Sequence, residues 1–180
     1  DAPLAPQAVI SPNRALLLLL DRPEAPPIAE LATPELRLAG LRINPATHGP
    51  SRSAHYTGLL FKRIVAGGEQ RVTGLPPNPR IADYAWSRDS RTLALTLVSD
   101  TGIALWVVDC DNGRARPLGS DALNAALGEP IVWLDDSTLV VRRIPAGRSA
   151  APVAPSVPEG PVVQENLGRR NVARTYQDLL

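Results

Sequence analysis

Two histidines and a serine close together, His48, Ser51 and His55, are the first place in this sequence where bond-making is conceivable, because a hydroxyl beside an imidazole begins a nucleophile and base pair. A working triad also needs an orienting carboxylate and fixed oxyanion donors. Neither is apparent nearby, so a polar surface loop is the preferred reading. Asp135-Asp136 offers an acid pair or half a cation site, but its position matches Pro12-Asn13 and Arg88-Asp89, where Asp and Asn serve turns between strands. Cys110, the only cysteine, can form no internal disulfide, and with two histidines it makes no four-ligand zinc set. No catalytic residue, metal ligand or cofactor is assigned from these groups. Trp86, Trp106 and Trp133 have the form of a base or sugar platform, yet they recur at repeat positions, which favours core.

Arg37, Arg42 and Arg52 are of more interest. Guanidinium presents a bidentate fork to a carboxylate, so these three are the candidate substrate-binding residues. The plainer reading, which is favoured, is loop charge paired with Glu30 or Glu35.

Composition narrows the partners. With 19 Lys+Arg against 18 Asp+Glu the net charge is +1, so no global field draws the chain onto nucleic acid or anionic lipid. The longest aliphatic run, Ala15 to Leu20, is far short of the roughly twenty residues a membrane-spanning helix needs. No nucleic-acid or membrane partner is expected. There is no Met, and Asp1-Ala2-Pro3-Leu4 has neither a basic nor an apolar leader region. An internal piece of a longer product is the expectation.

The elements that must hold these residues are short. The chain has 19 Pro and 13 Gly, which leave little room for helices of three turns. Between them lie runs rich in Leu, Val, Ile and Thr: Ala15 to Leu20, Leu59 to Val65, Leu93 to Val98, Ile103 to Asp109 and Leu139 to Ile144. These read as strands. The run from Ile103 to Val108 is apolar on both alternating faces and must be covered on both sides, so stacked antiparallel sheets are expected.

Thr57 to Gly74 lines up with Gly102 to Gly119, putting Phe61 on Trp106, Gly68 on Gly113 and Val65 on Cys110. Phe61 and Trp106 are therefore expected at equivalent buried positions on successive sheets. Trp86 and Trp133 mark a second repeat. A period of about 40 to 50 residues carrying four short strands is the pattern of β-propeller blades. The reading is an all-β partial propeller of about three blades of four-stranded antiparallel sheets. An insertion is expected at about 25–53, and a Pro-rich loop at about 145–161.

Several stretches carry a family resemblance: Leu17 to Pro23, Pro26 to Leu31, Glu35 to Pro45, Gly49 to Arg52 and Ala173 to Leu180. Together they resemble the amino-terminal propeller region of prolyl oligopeptidase family serine peptidases, in the glutamyl-endopeptidase-like branch. The resemblance implies a parent with a carboxy-terminal α/β-hydrolase domain holding a Ser-Asp-His triad. That domain needs its Ser on a GxSxG turn, and no GxSxG occurs here. The catalytic domain is absent from this chain, and no family catalytic residue carries over.

The expected function is that of a non-catalytic propeller fragment, residues 1–180, gating peptide access to a separate hydrolase domain and predicted inactive alone. Its partners would be the rest of the propeller, the hydrolase domain and a peptide substrate. The alternative is a stand-alone TolB-like propeller binding or scaffold module. The resemblance tilts the compartment towards periplasmic or secreted, with cytoplasmic as the alternative.

Overall fold

The computed structural model describes residues 4–147 and 149 apart from 24, 26, 27, 39, 120 and 121. The Pro-rich tract from Pro145 to Pro161 and the stretch Ala173 to Leu180 fall largely or wholly outside these residues.

The first sheet has strand order β1-β2-β6-β7, from β1 (Gln7–Ile10), β2 (Leu16–Asp21), β6 (Gly58–Arg63) and β7 (Glu69–Arg71), all antiparallel. The second repeats the plan with β8 (Ile81–Trp86), β9 (Thr92–Val98), β10 (Ile103–Asp109) and β11 (Arg114–Pro117) in sequential order. A third unit begins with β12 (Ile131–Trp133) paired to β13 (Leu139–Val141). Between β2 and β6 the chain forms the short helix α1 (Ile28–Leu31) and a three-stranded sheet of β3 (Leu36–Leu38), β4 (Leu41–Asn44) and β5 (Gly49–Pro50).

Alternation along β2 buries Leu16, Leu18 and Leu20, which meet Leu59, Phe61, Leu93, Leu95, Leu97 and Val108 in one core between the first two sheets. Ala94, Ile103, Leu105 and Val107 point the other way and meet Leu123, Ala125 and Ile131 in a second core. Strand β10 is therefore covered on both faces, as its sequence requires.

The turns between the first two strands of each unit share one device. The side-chain oxygens of Asn13, Asp89 and Asp135 each accept the backbone N–H two residues on, at 3.0, 3.0 and 2.8 Å. Such Asx turns replace a backbone bond at the bend. The three turns also bond to one another: Asn13 N–H donates to Ser90 Oγ at 3.0 Å, and Asp89 N–H to Asp136 Oδ1 at 2.8 Å. On the outer edge Thr73 pairs in parallel with Arg114. There Gly74 has φ +86, and an added Cβ would lie 2.5 Å from the Ala115 carbonyl oxygen. Trp133 Nε1 donates to Ala85 O at 2.9 Å, tying the third unit to the second.

One sequence equivalence is corrected. Ile64 N–H bonds Ala15 O and Cys110 N–H bonds Arg91 O, both at the same rung beside Leu16↔Arg63 and Thr92↔Asp109. The hydrogen-bond ladder therefore puts Ile64, not Val65, on Cys110, and Phe61 on Val107. Phe61 and Trp106 lie on facing sides of the same core instead of at matching positions on successive sheets. Adjacent glycines explain the offset of one: Gly67 and Gly113, both at φ 68, hold corresponding turns, whereas residue type alone pairs Gly68 with Gly113. With a side-chain period of two, a slip of one residue exchanges the faces. Ile64 and Val65 also leave the expected strand and sit exposed in this turn.

Candidate functional site

The inserted sheet is held down at three points. Asn44 Oδ1 accepts the N–H groups of Ala46 and Thr47 at 2.9 and 3.4 Å, forming the turn that leads to His48 at φ 55. The His48 carbonyl then accepts Ala125 N–H at 2.9 Å, reaching the third unit. Gly49 lies over the tip of Ile103, where an added Cβ would come within 2.7 Å. At the exit, Tyr56 and Ile81 exchange backbone bonds of 2.8 and 3.0 Å along the free edge of β8.

These anchors enclose a cleft of about 860 Å³ between the insertion and the second sheet, with Val98, Ile103 and Ala125 among its lining. Its ionisable side chains are Glu30, Arg52, His55, Arg80, Asp83 and Asp100. Arg80 is engaged, donating to Val98 O at 3.2 Å and to Asp100 Oδ1 at 3.3 Å. His55 Nδ1 stands 3.6 Å from Glu30 Oε1. A register shift between Ile81 and Tyr84 marks an irregularity at Asp83, of the kind that re-aims side chains beside sites. Burial, and secondarily the charge of Glu129, push the Asp83 carboxyl above its usual range, against the Thr96 hydroxyl.

Arg37, Arg42 and Arg52 converge on one acid, Glu35. Arg42 Nη1 donates to Oε1 at 2.7 Å and Arg37 Nε to the same oxygen at 3.2 Å, while Arg52 Nε lies 3.7 Å from Oε2. Ser51 Oγ donates to Oε2 at 2.9 Å. The Ser51 bond foremost, then the Arg37 bond and the charges of Arg52 and Arg42, hold this carboxyl below its ordinary range in spite of burial. Of the three arginines, Arg52 is the one that lines the cleft.

The arrangement suits charge recognition. Ser51 offers its single proton to Glu35, so no histidine receives it and the serine is not poised as a nucleophile. Cys110 is 2% exposed, and burial, with the charges of Asp109, Asp111 and Asp89, pushes its thiol up to about 12. A thiol that stays protonated is no nucleophile. Asp135 is engaged by Ser137 and Thr138 in its turn. Trp86 and Trp106 pack on the first core and Trp133 on the second. Among the described residues no group of three or more His, Cys, Asp or Glu is placed to hold a metal ion, and no helix is long and apolar enough to cross a membrane. Sequence reasoning named Glu35 only as one possible partner and missed Asp83, whose position depends on the irregularity in β8.

Stacked four-stranded antiparallel sheets in chain order, joined turn to turn, define a partial β-propeller that carries one inserted sheet. No protein-family model matches the chain. All of it aligns with a protein described as a probable chloroplastic glutamyl endopeptidase of Arabidopsis thaliana, at 40% identity, and with one so described from Oryza sativa subsp. japonica, at 38%. The alignments cover 20% and 21% of those proteins, so the chain spans about a fifth of the length of these curated relatives. A solved structure of a Bacteroides ovatus protein named for dipeptidyl aminopeptidase IV superposes on 76% of the chain and 20% of its own, with a TM-score of 0.45 and 16% identity. Along its whole length the chain is homologous to about a fifth of these two proteins described as probable glutamyl endopeptidases, the group that its residue stretches resemble.

Proposed function

We propose that this chain is a non-catalytic propeller segment of a glutamyl-endopeptidase-like serine peptidase. It restricts which peptides reach a separate hydrolase domain, and Arg52 receives an acidic substrate side chain. The position of Arg52 carries the reading: it lines the cleft and stands beyond hydrogen-bond reach of Glu35, while Arg37 and Arg42 are bonded to that acid. The names of the relatives support an acidic substrate, and the engaged Ser51 and inert Cys110 support chemistry done elsewhere. The remainder of the propeller and the hydrolase domain are the partners this reading requires.

The test is steady-state kinetics on the longer peptidase that contains this chain, with peptides that differ only in Glu or Gln at one position. A charge-assisted hydrogen bond of about 1.5 to 3 kcal/mol corresponds to roughly ten- to a hundred-fold in kcat/KM. Arg52→Ala should lose that factor on the Glu peptide and little on the Gln peptide. Equal loss on both peptides, or none, removes Arg52 from substrate recognition.

A further inference from the structure

Glu35 is a carboxylate already seated among three arginines, one of which, Arg52, is the one an acidic peptide would use. Its side chain is 10% exposed, whereas those of Arg37, Arg42 and Arg52 are 52%, 52% and 47% exposed. The acid lies inside and its cations face outward. Three guanidinium groups outnumber the one carboxylate, so the cluster keeps capacity for a second anion. The contacts are graded from 2.7 Å at Arg42 through 3.2 Å at Arg37 to 3.7 Å at Arg52. The loosest of them belongs to the arginine that borders the cleft.

We propose that Glu35 is an internal competitor for Arg52, and that it sets how tightly the cleft takes peptides bearing a side-chain carboxylate. This rests on the reading of Arg52 as the acid receptor. Glu35 is a positioning residue: with Ser51 it holds Arg37 and Arg42 in place, and it draws Arg52 partly away from an incoming acid. The two roles Glu35 could have predict opposite signs. If it were only a structural counter-charge, neutralising it would loosen the cluster and weaken binding. As a competitor, neutralising it strengthens binding.

The experiment is an NMR titration of the 180-residue chain at low salt, following arginine Nε–H signals. The probes are a blocked Gly-Gly-Glu-Gly-Gly peptide and its Gln counterpart. Glu35→Gln should bind the Glu peptide about two- to five-fold more tightly, the scale of releasing an exposed ion pair. The Gln peptide should be unaffected, and adding Arg52→Ala to Glu35→Gln should abolish the gain. Glu35→Asp keeps the charge but withdraws it by one methylene, should act in the same direction, and serves if Glu35→Gln does not fold. Binding that depends on Arg52 but is no tighter in the Glu35 variants overturns the competitor role and leaves the Arg52 reading standing. Failure of every variant to prefer the Glu peptide overturns both.

Discussion

The first and second four-stranded sheets are built alike and differ in what joins their second and third strands. In the second sheet residues 99–102 suffice, with Ser99 Oγ accepting the N–H groups of Thr101 and Gly102 at 3.2 and 3.1 Å. The first sheet carries α1 and a whole small sheet at the same point. The blades bury aliphatic side chains and satisfy their polar groups within a few residues. The insertion gathers charges from two to seventeen residues along the chain onto Glu35 and leaves Leu38 and Leu41 exposed. Repetition accounts for the scaffold, and departure from it accounts for the candidate site.

That contrast is broken most severely by emptying the shared core. Phe61 is 2% exposed, with its ring 5.8 Å from that of Trp86. Phe61→Ala should cost about 3 to 5 kcal/mol through lost burial and the cavity left behind, and thermal unfolding of the chain should show a large fall in midpoint. Arg37→Ala, in the insertion, should leave the midpoint near that of the parent, because exposed ion pairs contribute little. A large fall for Arg37→Ala would make the insertion part of the folding unit and erase the distinction.

A smaller effect is expected at the turns. Ser87 is fully buried, donating to Asp89 Oδ1 at 2.7 Å and accepting Thr92 N–H at 3.0 Å. Ser87→Ala leaves that half-buried N–H without its acceptor and should cost about 1 to 3 kcal/mol in denaturant unfolding. Ser11 repeats both contacts, to Asn13 and from Leu16, so Ser11→Ala should behave similarly. The third turn has the exposed Leu134 where the others have serine. Unequal losses at Ser11 and Ser87 would count against equivalent blades.

Smallest is the response to acid. Asp89 and Asp135 are held below the usual carboxylate range, foremost by the backbone N–H groups of Arg91 and Ser137. Their contribution is complete above the unfolded-state value and is lost as pH falls through the lowered folded value. Asp83 is shifted the other way by burial, so its charge opposes folding at neutral pH and protonation relieves it. Asp83→Asn should therefore raise the midpoint at neutral pH, and the gain should fade as pH falls through the carboxylate range. A gain that persists in acid would point to packing instead of charge.

The scaffold was legible because strand alternation and turn residues are local signals. Leu16, Leu18 and Leu20 at period two, Asn13 and Asp89 at matching bends, and the two-sided apolar run of β10 each speak for themselves. Facing direction was less secure. It rests on the backbone pairing of each turn, and a single glycine offset exchanged Trp106 for Val107 as the counterpart of Phe61. The site was half legible. Three arginines in a segment outside the repeat drew notice, but their convergence follows from the pairing of β3, β4 and β5, which sets Arg37 opposite Arg42 and brings Ser51 to Glu35. The irregularity at Asp83 left no mark in residue type.

The central claim, that this chain frames and selects while another domain cuts, is tested most directly by assaying the purified 180-residue chain on a Glu-containing chromogenic peptide. The account predicts no product above the buffer rate, because Ser51 gives its proton to Glu35 and the Cys110 thiol is buried and protonated. Steady turnover that disappears on Ser51→Ala or His55→Ala would contradict it.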